Sequence, residues 1–276
     1  MISRPAFRYH GAKWRIAPWI ICQFPQHECY CEPYGGSAGV LLRKPRSWLE
    51  VFNDKSEAVV QFFRVLREEP EALVEAIRWT PYAKLEWELA MEEGDELDVV
   101  ERARRFYVRS VMSLAGPTAQ WRTGWRRQKV ISKDNNGKKK MTAAAIGFMG
   151  VEYLYQVAQR LRGVQIECDE ALAVIERYDS PKTLFYLDPP YPSSVRGRWK
   201  TTAYEHEMTL EDHEALARLC HEVQGMTVIS SYDSELYQEL YGDWEQVARA
   251  TRVNGAGSAL EMLWLSPGAR VQGRLL

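Results

Sequence analysis

The sequence predicts an α/β fold: a doubly wound, mostly parallel sheet with helices on its faces, interrupted by a helical insert. Three observations carry this. Short apolar runs alternate with helical periodicity near both ends of the chain, as in sheets whose parallel strands are joined by helical crossovers. From about Pro70 to Leu114 the helical periodicity continues without any strand signal. Several of the strand-like runs end in carboxylates or glycines, the residues that line the ligand crevice at the carboxyl edge of such a sheet.

Taken in order, Cys29–Glu32 reads as a short strand running into the loop Pro33-Tyr34-Gly35-Gly36-Ser37-Ala38-Gly39, with a helix expected over Val40–Arg43. Trp48–Asp54 is the next strand. Val59, Phe62, Phe63 and Leu66 then fall at i, i+3, i+4 and i+7, one face of an amphipathic helix. Helices fill the region to Leu114, and the polar stretch Gly116–Lys140 reads as a loop or weakly structured hairpin. Val164, Ile166 and Cys168 alternate as a strand, and the apolar run Thr183–Leu187 forms another that ends at Asp188. Thr209-x-x-Asp212 has the form of a capping box, opening a helix with Leu216, Leu219, Cys220 and Val223 on one face. Met226–Ser231 and Leu260–Leu265 are late strands, and no internal repeat is present. This reading assigns 1–69 and 142–276 to one domain and 70–141 to an insert.

Composition sets the outer bounds. At 276 residues, 46% hydrophobic and 26% charged, the chain has ordinary globular values and ample core material. Its net charge of −1 means that contact with nucleic acid must come from a local patch. The five cysteines are odd in number and form no C-x2-C pair, so they suggest neither a disulfide framework nor a zinc site. Reduced thiols in a cytoplasm are the plain expectation. No apolar run approaches the roughly 18 residues of a membrane helix. Pro18 interrupts the short apolar stretch near the start, which argues against a signal peptide.

The most informative residues are Asp188-Pro189-Pro190-Tyr191. Two prolines fix the backbone and remove two N–H donors, leaving carbonyls as acceptors. Asp188 adds a charged acceptor and Tyr191 a flat surface. The set suits a planar group bearing an exocyclic amine, although a Pro-terminated strand with a surface Asp would read the same locally. Gly35, Gly36 and Gly39 follow a strand, and Asp54 ends the next one 18 positions after Gly36. Glycines admit a ligand close to the backbone, and a carboxylate so placed accepts from a ribose diol. Without G-x-G-x-x-G or a basic residue in the loop, the pattern favours a nucleoside-bearing cofactor lacking a pyrophosphate. Lys13, in Tyr9-His10-Gly11-Ala12-Lys13, would bind a carboxylate as a compact cation or simply be solvated. Asp169, closing the strand 164–168, is either an acceptor for an adenine amine or an ordinary turn residue. Finally, residues 118–141 carry a net charge of +7, with Trp121 and Trp125 interleaved among Arg122, Arg126, Arg127, Lys129, Lys133 and Lys138–Lys140. Such a patch suits phosphates and Arg–guanine contacts, or else is a solvated basic loop.

These pieces, in this order, resemble the Dam-like (D12 class, alpha group) adenine-N6 DNA methyltransferases. Tyr9 to Lys13 is similar to the family's aromatic-x-Gly-x-Lys motif, and Glu32–Gly39 to its cofactor loop. Asn53-Asp54 is similar to the end of its second strand, Asp169 to its later acid, and Asp188–Tyr191 to its catalytic motif. Val228–Asp233 and Glu261–Trp264 resemble its late strands, and Tyr204–Thr209 resembles phage and prophage members, among which an orphan or restriction-linked enzyme is expected. The departures are Ala38 in place of the family's second glycine and an unmatched stretch from Pro192 to Thr202.

The resemblance implies a sheet of the S-adenosylmethionine-dependent methyltransferase type and S-adenosyl-L-methionine as cofactor. Double-stranded DNA is the implied partner, with no metal, no membrane association, a monomeric state and the cytoplasm of a bacterial cell. It implies catalytic roles for Asp188, Pro189, Pro190 and Tyr191. Cofactor contacts would come from Tyr9, Lys13, Glu32, Tyr34, Gly36, Ser37, Asp54, Asp169 and Asp188. DNA contacts would come from Arg122, Arg126, Arg127, Lys129, Lys138, Lys139 and Lys140, which makes 70–141 a target-recognition region. An RNA adenine-N6 methyltransferase with the same pocket, or a nucleic-acid-binding protein with a degenerate site, is the alternative. Cytosine N4 and protein glutamine are less well matched as methyl acceptors.

Overall fold

The computed structural model describes residues 2–92, 96–114, 124–127, 144–192, 206–253 and 257–270, with backbone alone at 251–253 and 257–259. Two compact units result: residues 13–56 with 163–276, and residues 1–12 with 57–162.

The first of these holds a sheet of seven strands in the order β3-β2-β1-β4-β5-β7-β6. They are β1 (Cys29–Glu32), β2 (Leu49–Asn53), β3 (Val164–Glu167), β4 (Thr183–Leu187), β5 (Met226–Tyr232), β6 (Glu245–Val253) and β7 (Gly257–Leu265). Pairing is parallel from β3 through β5, and β7 runs antiparallel to both β5 and β6. β1 and β4 are buried along their whole lengths, as expected of parallel strands covered on both faces. The chain leaves β1 toward β2 on one side and reaches β4 on the other, so β1 and β4 flank the topological switch point where such sheets bind ligands. Helices α1 (Ala17–Ile21), α8 (Ala171–Arg177), α9 (Leu210–Glu222) and α10 (Glu235–Tyr241) belong to this unit. The capping box expected at Thr209 is present: Asp212 N donates to Thr209 Oγ1 at 3.2 Å, and Thr209 N donates to Asp212 Oδ2 at 2.8 Å. Leu216, Cys220, Phe185, Ile229 and Trp264 meet in the core beneath it.

Where a helix was expected over Val40–Arg43 there are successive turns instead. Arg43 N and Lys44 N both donate to Val40 O, so the hydrogen-bond ladder stalls just before Pro45.

The second unit contains α2 (Glu57–Glu68), α3 (Pro70–Arg78), α4 (Lys84–Leu89), α5 (Val99–Met112), α6 (Ala144–Met149) and α7 (Tyr153–Leu161). It is wider than the 70–141 read from the sequence, because the apolar face of α2 packs within it. Phe7 lies with its ring centroid 5.1 Å from Phe62, 5.4 Å from Phe63 and 4.9 Å from Phe106. Tyr153 closes the same core from α7, donating its hydroxyl to Ala6 O at 2.7 Å. The Asp98 carboxylate caps α5 by accepting from Glu101 N at 2.9 Å.

Candidate active site

The loop after β1 is tied to the end of β2. Gly35 N donates to Asn53 O at 2.8 Å, and Gly36 N donates to Asp54 Oδ2 at 2.7 Å. Asp54 Oδ1 also accepts from Ser56 N at 2.8 Å. Gly35 has no room for a side chain, since a Cβ there would stand 2.1 Å from the Phe52 ring. Gly36 turns at φ +49° and Ala38 at φ +54°. Ala38 therefore bears the left-handed strain that a glycine would avoid, on the order of 1–2 kcal/mol. Gly39 meets the backbone of Lys13 and Trp14, where a Cβ would lie 3.1 Å from Trp14 N.

Asn53 is the clasp behind this arrangement. Its amide donates to Pro33 O at 2.9 Å and to Asp169 O at 3.0 Å, and its carbonyl accepts from Asp169 N at 2.9 Å. One fully buried side chain thus holds the loops that follow β1 and β3. Glu32 is buried at 2% exposure, accepting from Tyr30 Oη at 2.7 Å and Leu41 N at 3.0 Å. Burial pushes its carboxyl up to about 8, against the lowering effect of the Tyr30 and Leu41 hydrogen bonds and of the more distant Lys44 charge. It supports the loop from behind.

Asp188 follows β4 at the switch point and faces a lysine. Lys13 Nζ donates to Asp188 Oδ1 at 2.8 Å and to Oδ2 at 2.9 Å, and lies 3.6 Å from Glu261 Oε1 on β7. The same ammonium sits 4.8 Å above the Tyr191 ring centroid, within cation–π range. Tyr191 donates its hydroxyl to Glu261 Oε1 at 2.7 Å, and Ser230 Oγ on β5 donates to that oxygen at 2.8 Å. A fifth of the Asp188 side chain stays exposed. Desolvation raises its carboxyl to about 6, against the lowering effect of Lys13 and with a further upward push from Glu261.

The remaining residues expected at the site are distributed more widely. Ser37 is buried in the loop and Tyr34 half-buried against the core near Cys220. Asp169 is half exposed, its carboxylate bonded to Arg177 Nη2 at 2.7 Å and to its neighbour's amide, Glu170 N, at 2.8 Å. Tyr9 falls in the helical unit, with its ring edge-on to Phe7 at 5.9 Å. Arg126 and Arg127 also belong to that unit. Arg126 N donates to Met112 O at 2.6 Å, and Trp125 bridges to Ser113, so this short stretch pairs with the end of α5. Arg122, Lys129, Lys133 and Lys138–Lys140 lie outside the described residues. Sequence reasoning quoted Glu261, Ser230 and Asn53 only as parts of motifs and gave none of them a role at the site. The available signal was a carboxylate inside an otherwise apolar strand run, Glu261-Met262-Leu263-Trp264.

The donor set can accommodate S-adenosylmethionine. A glycine-bearing loop follows β1 at the switch point, and Asp54 and Asp188 follow β2 and β4 on either side of it. The wall holds an acceptor pair already able to take two N–H bonds.

A family model for D12 class N6 adenine-specific DNA methyltransferases matches residues 9–254. The type II methyltransferase M1.LlaDCHI of Lactococcus lactis subsp. cremoris is 26% identical over 272 residues, covering 93% of this chain and 91% of that protein.

Proposed function

The chain belongs to the D12 class of N6 adenine-specific DNA methyltransferases, and from that premise we propose how its residues perform the methylation. The observation that carries the reading is Asp188: at the end of β4, beside the switch point, both of its oxygens converge on a single N–H donor group. Residues 33–39 would hold S-adenosylmethionine, which would supply the electrophilic sulfonium methyl. Asp54, which tethers Gly36, would accept from its ribose diol, and Asp169 stands at the next strand end.

N6 of adenine is a poor nucleophile because its lone pair is delocalised into the ring. Asp188 and the Pro189 carbonyl accept its two hydrogens and favour a pyramidal nitrogen whose lone pair points at the methyl. On accepting the methyl group, N6 would shed one proton. Asp188, raised to about 6, receives it and releases it to water at neutral pH. Alignment and fixed charge supply the rate enhancement. N6 in a duplex cannot line up with a buried methyl donor, so the adenine leaves the stack. Tyr191 is buried and its hydroxyl is pinned, so it meets the base with the ring face over which Lys13 stands. The basic stretch around 122–140 contacts phosphates and reads sequence.

Transfer of tritium from labelled S-adenosylmethionine tests this on duplex DNA, single-stranded DNA and RNA. Wild-type enzyme labels duplex DNA, and Asp188→Ala abolishes labelling while retaining cofactor binding by calorimetry. Asp188→Asn, which keeps one acceptor and loses the charge, shows a smaller but large loss. Near-normal turnover by Asp188→Ala would refute the assignment, and preferential labelling of RNA would move the substrate.

A further inference from the structure

Lys13 occupies the place that the target amine needs. Its ammonium engages both oxygens of Asp188 and covers the Tyr191 ring. A second anionic seat stands 3.6 Å from the same nitrogen, at Glu261 Oε1. Glu261 is 5% exposed, and a carboxylate that deep in the protein needs donors to offset its desolvation. Tyr191 and Ser230 hydroxyls provide two, at 2.7 and 2.8 Å. They orient Glu261 and leave its charge uncancelled. Two carboxylates therefore share one cation, and the cation can lean toward either.

We propose that Glu261 is a positioning residue for methyl transfer, receiving Lys13 when adenine arrives and so releasing Asp188 to accept an N6 hydrogen. The proposal rests on the assignment of Asp188 to the target amine. The exchange leaves Lys13 paired throughout: it gives up Asp188 and closes on Glu261, which it already approaches, while an N6–H bond takes its place on Asp188 and the second N6 hydrogen goes to the Pro189 carbonyl. It also uncovers the face of Tyr191. The titratable groups that act on Asp188 are Lys13, Glu261, Tyr191, Tyr186, Tyr232, Tyr237 and Glu32, and Glu261 in addition accepts from Ser230. Because Glu261 raises Asp188 and Lys13 lowers it, removing each should move the acid limb of activity in opposite directions.

The test compares pH profiles of kcat and kcat/KM on duplex DNA for wild type, Glu261→Gln, Lys13→Met, Tyr191→Phe and Asp188→Ala, with folding checked by thermal unfolding. Glu261→Gln keeps acceptors for the two hydroxyls but offers Lys13 no charge. Its kcat should fall at least about tenfold, with cofactor affinity within about twofold of wild type and the acid limb displaced downward by up to about one pH unit. Lys13→Met should displace the limb upward, and it decides the matter if the Glu261 variant does not fold. Asp188→Ala inactive with Glu261→Gln unchanged in kcat and limb overturns this proposal alone. If Tyr191→Phe reproduces both changes, Glu261 acts merely by holding the phenol and the proposal falls. An active Asp188→Ala overturns the underlying assignment and this proposal with it.

Discussion

Two carboxylates at the site have raised pKa values for one cause, loss of water, and they meet different fates. Asp188 has Lys13 against it and is held to about 6, so it is ionised at neutral pH. Glu32 has hydroxyl and amide donors against it, with the Lys44 charge as a minor influence, and reaches about 8, so at pH 7 it is mostly protonated. The folded state then binds more protons than the unfolded one between about 4.5 and 8, and stability falls as pH rises through that window. Glu32→Gln removes the ionisable group while keeping an acceptor for Tyr30 and Leu41. We expect a flatter urea-midpoint profile for this variant than for wild type between about pH 5 and 8; an identical slope in both proteins would rule this out. Asp54→Ala loses the Gly36 and Ser56 tethers together with the proposed ribose acceptor, so cofactor affinity should fall about tenfold to a hundredfold. Calorimetry with S-adenosylhomocysteine measures it, and an unchanged Kd would place the ribose contact elsewhere. Residues that announce themselves by local company were legible from the sequence, as Asp188 was beside two prolines. Glu261 was not, because its meaning depends on Lys13, 248 positions away in the chain.

Among the elements, those with complete local signals were readable and those without were not. α2 had its apolar stripe, α9 its capping box and β4 its unbroken apolar run. The short helices α8 and α10 span 7 residues each and give two turns or less of periodicity to detect. β6 carries Glu245, Gln246 and Arg249 at the sheet's edge, where one partner strand and solvent-facing polar residues dilute the strand pattern. The turn after Ala38 was read as a helix because the apolar residues Val40–Leu42 mimic one, whereas burial there comes from the loop folding under itself. That packing makes the loop unforgiving. Gly35→Ala forces a methyl into the Phe52 ring, and Phe52 is fully buried on β2. We expect a loss of about 1–3 kcal/mol from overpacking, read as a lower urea midpoint, along with weakened cofactor binding. Unchanged stability would mean that β2 and the loop yield more easily than their packing suggests.

On the scale of the whole molecule, the near-neutral net charge conceals a local imbalance: residues 118–141 carry +7, and the proposed reading gives that stretch the contacts to DNA. DNA affinity should therefore fall steeply with salt, with log K against log salt sloping about −0.9 per phosphate neutralised. Replacing Lys138, Lys139 and Lys140 with Ala should flatten that slope and weaken all duplexes alike, leaving cofactor affinity unchanged. Equal slopes for wild type and variant would show the lysine run to be a solvated loop.

The Asn53 clasp bears on how this enzyme tolerates change. It grips main-chain atoms at Pro33 and Asp169 rather than their side chains. Codons 33 and 169 are therefore free to drift as far as the clasp is concerned, while codon 53 answers for two loops at once. In a saturation library selected for activity, tolerance should be lopsided: near-exclusive retention of Asn at 53, and a broad spectrum at 169 wherever the cofactor permits it.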